Sequence, residues 1–326
     1  MSLSILWRGP LSSCNYDCAY CPFGKTEASR AELEADAAAL ARFLAWTEDY
    51  GGPLSVFFTP WGEGLIHAHV QRAIARLSHL PGLGQVAIQT NLSARLDFLG
   101  QARAERVGLW STFHPDHVRR ERFVAQVRTA RAAGATVSAG VVGMPRFVAE
   151  IEALRQELPP EVYLWVNAVR GQTYSDALVA RISAVDPLFP VNLRRPYASE
   201  GRPCRAGESV IAVDGEGQVR RCNFLPEVIG NLYAPDFADA LRPRLCPAPT
   251  CGCHVGYVHL PHLRLYEVFG ADVLSRAWGG WAEGLPAHLA EHRLDLGAVG
   301  VQAAPQHAGE QVAEGVELQQ DRPPPG

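Results

Sequence analysis

Cys14-Asn15-Tyr16-Asp17-Cys18-Ala19-Tyr20-Cys21 follows the apolar run Leu3-Ser4-Ile5-Leu6-Trp7. The run reads as a strand, so it delivers three thiols, spaced C-x3-C-x2-C, to a loop at the edge of a sheet or barrel. Three cysteines match three irons of a cubane iron–sulfur cluster. Such clusters are normally closed by four, so one iron would stay open to a substrate or cofactor. A zinc knuckle, or a set of buried thiols, is the competing reading. Zinc takes four nitrogen or sulfur ligands, commonly from two CxxC-like halves. The next histidine along the chain is as distant as His67, so no local fourth ligand stands out.

Outward from that loop, strand and helix signals alternate. Strands are expected over 3–7, 54–58, 85–89, 107–113, 135–142 and 162–166, with helices over 28–50, 67–79, 96–106, 119–133 and 146–158. Gly51-Gly52-Pro53 and Gly134 read as helix stops. Apolar runs such as the one ending Val141-Val142 suit strands covered on both faces. The pattern is that of a parallel sheet with crossover helices. Six βα-type units fall short of an eight-unit barrel.

The chain has 326 residues, enough for one large α/β domain and a smaller appendage. A formal charge of −4 gives no footprint for nucleic acid or a membrane surface. Lys25, four residues past Cys21, is the only lysine. The N-terminus lacks the basic and apolar regions of a signal peptide, and no run is long enough to span a bilayer, so a cytoplasmic location is expected. Eight cysteines in such a chain point to metal or redox chemistry, not to disulfides. Three lie in the first loop; the others are Cys204, Cys222, Cys246, Cys251 and Cys253.

The C-x3-C-x2-C spacing, with Tyr20 just before Cys21, resembles the radical SAM superfamily. The resemblance implies a partial (β/α)6 TIM-like barrel over 1–195, open on one side to substrate. It implies a [4Fe–4S] cluster on Cys14, Cys18 and Cys21, whose open iron is chelated by the amino and carboxylate groups of S-adenosylmethionine. Reduction by an external one-electron donor, such as flavodoxin or ferredoxin, cleaves that cofactor to a 5′-deoxyadenosyl radical. The radical then abstracts hydrogen from a substrate, with a peptide or protein favoured.

Functional groups of parallel barrels gather at the C-terminal strand ends. Trp61-Gly62-Glu63 follows the second strand, where the superfamily usually shows Gly-Gly-Glu. Gly62 and Glu63 are candidates to hold the methionine ammonium, against the alternative of a plain turn. Thr90-Asn91-Leu92 follows the third strand, with Leu92 where the superfamily has glycine. Asn91 is a candidate for the methionine carboxylate or ribose, or else caps the next helix. Alternation puts Thr112 and His114 on one face and Ser111 on the other, and the resemblance favours Thr112 as a ribose contact. Tyr20 is a candidate adenine contact by stacking, or else packs against the first strand.

From about Pro196 the character changes. Ser209-Val210-Ile211-Ala212-Val213, Asp214-Gly215 and Gln218-Val219-Arg220-Arg221-Cys222 read as a hairpin flanked by cysteines. This resembles the Twitch/SPASM extension of radical SAM enzymes, placed here over 196–262, which carries auxiliary [4Fe–4S] clusters. Five cysteines are too few for two cubanes, so one auxiliary cluster is expected. Cys204 and Cys222 are its firmer ligands, completed by two of Cys246, Cys251 and Cys253; a zinc ribbon is the alternative. A helical segment is expected over 263–293 and a disordered tail over 294–326. The reading from outside enzymology is a non-catalytic zinc or iron–sulfur module, or an electron-transfer protein.

Overall fold

The computed structural model describes residues 2–21 and 26–290; Lys25 and the 294–326 tail lie outside them. Strands β1 (Leu3–Arg8), β2 (Leu54–Phe58), β3 (Leu83–Thr90), β4 (Val107–Thr112), β5 (Thr136–Val142) and β6 (Leu164–Asn167) run parallel in that order. Helices α1 (Arg30–Tyr50), α2 (Ala68–Ser78), α3 (Arg120–Ala132), α4 (Val148–Glu157) and α5 (Asp176–Val185) provide crossovers or follow the last of these strands, with α6 (Phe189–Leu193) after them. This is an α/β fold with the sheet of a partial barrel.

Local chemistry sets the boundaries. Ser29 caps α1: its hydroxyl accepts from Glu32 N at 3.2 Å, and its own N–H donates to the Glu32 carboxylate at 2.7 Å. A capping box of this kind contributes about 1 kcal/mol. Gly51, at φ 66°, ends the helix in the left-handed region that glycine adopts without strain. The helix expected over 96–106 is replaced by two 3₁₀ turns, Asp97–Gln101 and Ala104–Arg106. Gly100 breaks the run, and burying Phe98 and Leu99 against the sheet needs only one turn.

Beyond α6 the chain forms β7 (Tyr197–Ala198), β8 (Pro203–Cys204), β9 (Val210–Asp214), β10 (Gln218–Arg220), β11 (Val228–Asn231), β12 (Arg244–Leu245) and β13 (Thr250–Cys251). The expected hairpin is β9–β10, and it joins the main sheet: β9 pairs in parallel with β1, Ile5 opposite Ile211. The result is one nine-stranded sheet, ordered β11-β10-β9-β1-β2-β3-β4-β5-β6. β8 pairs with β12 and β7 with β13 in two small ladders beside it.

The two faces of the sheet are covered differently. Ile5, Val56, Ile88, Leu109, Val141 and Val166 face the helices. Their alternates Leu6, Phe57, Ala87, Trp110 and Trp165 are covered by the segment after β13, through Tyr257, Leu263, Leu274 and Trp278. That segment forms short turns, including α7 (His254–Tyr257), α8 (Leu265–Phe269) and α9 (Ala287–Ala290), where longer helix was expected. Gly270, Gly279, Gly280 and Gly284 interrupt it, and a chain filling a concave face must bend to follow it. Among the described residues no helix is long and apolar enough to cross a membrane.

Candidate active site

The first thiol loop leaves β1 at its C-terminal end. Cys21 N–H closes a turn on the Cys18 carbonyl at 3.0 Å, and Cys14 N–H donates to Thr26 O at 3.3 Å. Cys18 is buried; Cys14 and Cys21 are half-buried. Burial first, then the neighbouring Cys21 and Cys14, pushes the Cys18 thiol up to about 11. Burial also raises Cys14, opposed by the Tyr16 N–H and reinforced by Glu63 and Cys21. The three thiols are therefore close enough to oppose one another's ionisation. A bound cation or cluster reverses that cost, with release of protons.

The strand ends brace this loop from behind. Gly62 has φ 150°, and a Cβ there would lie 2.0 Å from the Ser13 carbonyl oxygen and 3.1 Å from Cys14 Cβ. Glu63 N–H donates to that same carbonyl at 2.9 Å. The Glu63 carboxylate is buried and accepts from Thr90 Oγ1 at 2.8 Å, from Leu65 N at 3.0 Å and from Asn91 N. Burial lifts its carboxyl to about 7 against the pull of those donors. Asn91 Nδ2 donates to Asn15 Oδ1 at 2.9 Å, and Asn15 Nδ2 donates to Ser93 Oγ at 3.0 Å. Asn91 Oδ1 accepts from Ser93 N at 3.0 Å, a local turn where helix capping was the alternative. Leu92 occupies the left-handed region at φ 56°, which accounts physically for a preference for glycine at such a place.

β4 and β5 supply the opposite wall. Thr112 and His114 alternate with buried Ser111, whose hydroxyl donates to Ser138 O at 2.6 Å. His114 Nδ1 lies 2.8 Å from the Tyr20 hydroxyl and 3.3 Å from Cys18 Sγ. Burial, with His117 adding to it, holds His114 down at about 4, so the ring is neutral at pH 7. Tyr20 stacks on His114 with ring centroids 6.0 Å apart and meets Phe147 edge-on at 6.2 Å. It thus reaches the β4 and β5 ends. Asn15, Tyr16, Ser93, His117, Arg119 and Arg122 line a cavity of about 350 Å³ beside the loop.

The second thiol group lies across the β1–β2 end of the sheet. Asn223 Nδ2 reaches Thr59 Oγ1 at 3.5 Å, and Arg195 ties the Gly252 carbonyl (3.2 Å) to that of Ala168, just past β6. Burial, then Cys222, Cys253, Cys204 and Cys246, pushes the Cys251 thiol up to about 12. Cys222 is raised to about 11 by burial, against the Phe224 N–H, with Cys204 and Cys246 adding. All five thiols are free of disulfides. Among the described residues, no three Cys, His, Asp or Glu side chains converge tightly enough to hold a single metal ion.

Two arginines escaped sequence reading. Arg8, the last residue of β1, stacks on Trp61 at 4.1 Å and donates to Thr59 O at 3.0 Å. Burial lowers it to about 10, partly offset by nearby Cys253, so it stays charged. Arg221 is buried beside Cys222 and donates to the carbonyls of Ala206, Leu245 and Arg244. Period-two alternation from Leu6 points Arg8 into the barrel; no local signal marks Arg221.

No protein-family model matches the chain, and no curated protein matches its sequence. Similar solved structures include anSMEcpe with bound AdoMet, at 12% identity and TM-score 0.45, covering 71% of this chain and 75% of that one. Native anSMEcpe with AdoMet and the Cp18Cys peptide gives 12%, 0.45, 71% and 78%. BtrN in complex with AdoMet and 2-DOIA gives 14%, 0.33, 74% and 83%. These likenesses are too distant to carry a functional assignment.

Proposed function

We propose that the chain is a radical SAM enzyme with one auxiliary cluster. The observation that carries the reading is the union of the Cys14–Cys21 loop with Gly62, Glu63 and Asn91 at the C-terminal ends of parallel strands. Gly62 admits the Ser13 backbone, Glu63 clamps it, and Asn91 holds Asn15. A plain zinc knuckle has no need of this bracing.

Cys14, Cys18 and Cys21 would hold a [4Fe–4S] cluster with one open iron, and that group would supply the single electron for reductive cleavage of S-adenosylmethionine. The chain's own residues set the stage. Glu63, Asn91 and Gly62 fix the loop and are the groups proposed to meet the methionine end of the cofactor. Thr112 and Tyr20, on the same side as His114, are proposed for ribose and adenine. Neutral His114 beside Cys18 adds no charge to the loop. The segment 254–278 fills the barrel interior behind Trp110 and Trp165 and keeps water from that side. A peptide or protein is the proposed substrate class, and flavodoxin or ferredoxin the proposed electron donor.

Anaerobic purification with iron and sulfide assays tests the reading. About eight irons per chain, with matching sulfide, are expected for two cubanes. Stoichiometric zinc without sulfide would overturn it.

A further inference from the structure

The inner face of the barrel mouth carries a cation that no acid answers. We infer that Arg8 anchors a carboxylate on the substrate and makes the enzyme selective for acidic substrates. The inference rests on the radical-enzyme reading only for the mouth being where substrate docks.

Leu6, Ala87 and Trp165 belong to the cluster that fills the barrel interior. The residues two further along each strand, Arg8, Gln89 and Asn167, share that face one layer nearer the mouth, and all three are half-buried. Arg8 is held by part of its head only. Its Nε donates to Thr59 O at 3.0 Å, and the guanidinium lies 4.1 Å from the centre of the Trp61 ring. Among the described residues, its two Nη groups and the Gln89 amide meet no partner. Asn167 Oδ1 accepts from Arg276 Nη1 at 3.0 Å and from Asn192 Nδ2 at 3.4 Å, which leaves the Asn167 Nδ2 as a further donor.

The nearby carboxylates are engaged elsewhere. Asp214, opposite Arg8 in the β1–β9 ladder, accepts from Arg220 Nη1 at 2.7 Å and from the Glu216 and Gln218 N–H groups. Glu63 is turned to Thr90, Leu65 and Asn91. Asp186 is buried and accepts from Tyr163 Oη, Val166 N and Leu188 N. A second cation, Arg276, is buried 4.3 Å from the Trp165 ring, and its Nε has no partner. A half-buried guanidinium held flat on an indole, with two N–H-bearing arms unused, suits bidentate capture of a carboxylate. Thr59 joins this anchor to the second thiol group, since its hydroxyl meets Nδ2 of Asn223, the neighbour of Cys222. β1 runs on from Arg8 toward Cys14. A carboxylate on Arg8 therefore sits between the two thiol groups, apart from the β2 and β3 ends proposed for the methionine end of the cofactor.

The test measures equilibrium binding to the anaerobically loaded full chain, with acetyl-Gly-Glu-Gly-amide and its glutamine counterpart as probes. The wild type should bind the glutamate peptide about 10-fold more tightly, less so at high salt. Arg8→Met should bind the two alike, and Arg8→Lys should restore part of the preference as a point charge. A wild type that does not distinguish the two peptides would overturn the inference, whether or not Arg8→Met folds; so would an undiminished preference in a folded Arg8→Met. A weakened affinity for S-adenosylmethionine in Arg8→Met, with the peptide preference intact, would place the arginine on the cofactor and also overturn it. If the preference runs through Arg8 but the loaded chain forms no 5′-deoxyadenosine, the radical reading fails and the anchor stands. Nucleoside formation without any preference sinks the anchor alone.

Discussion

The two thiol groups are built by opposite means. The first is local: Cys14, Cys18 and Cys21 share one loop, and the fold's work is to hold that loop against the strand ends through Gly62, Glu63 and Asn91. The second is assembled: Cys204, Cys222, Cys246 and Cys251 come from separate segments, gathered by two short ladders and by Arg221. A local group should survive disturbance of the tertiary frame better than an assembled one, because less conformational entropy must be lost to bring its members together.

The largest effect is expected from Cys18→Ala. It should reduce first-site iron to background and leave the second site's iron in place, as read by iron per chain in the single variant. Next is Gly62→Ala, which drives a Cβ into the Ser13 carbonyl from a positive-φ position. Strain and overlap together should cost about 3 kcal/mol, measured by urea unfolding. Iron at the first site should fall more than at the second. Arg221→Met is the mirror experiment. Three carbonyls lose a buried donor, about 1 kcal/mol each, and second-site iron should fall while the first site loads normally. Equal loss at both sites in either variant would erase the distinction between braced and assembled groups.

The smallest effect concerns pH. Glu63 is held at about 7 in the folded protein by burial, against an ordinary value of 4.5. The folded state therefore keeps the proton more tightly than the unfolded chain. Its contribution to stability falls as pH rises from about 4.5 to about 7 and is level above that. Glu63→Gln removes this dependence. The urea midpoint of the wild type, measured against the variant between pH 5 and 8, should decline and then flatten; a parallel pair of curves would show that Glu63 does not titrate there.

The same contrast governs how much could be read from the chain. Strands covered on both faces, such as β2 and β5, announce themselves as apolar runs, and the Cys14–Cys21 spacing is written in consecutive residues. The β9–β1 pairing is not, because parallel pairing over such a separation leaves no local pattern. The turn-rich filling of the barrel interior reads as helix because its apolar residues are dense, but its glycines break it into turns. At the site, the strand ends that carry Gly62, Glu63, Asn91 and Thr112 are legible from the apolar pattern, while the choice of these residues comes from their resemblance to superfamily motifs. Arg8 and Arg221 could not be singled out from a chain whose basic residues are almost all arginine.

The most direct measurement is 5′-deoxyadenosine formation by the anaerobically loaded protein, supplied with dithionite and S-adenosylmethionine. The expected result is the nucleoside and methionine from the wild type and none from Cys14→Ala, Cys18→Ala or Cys21→Ala. A fully iron-loaded wild type that releases no more 5′-deoxyadenosine than those three variants would contradict it.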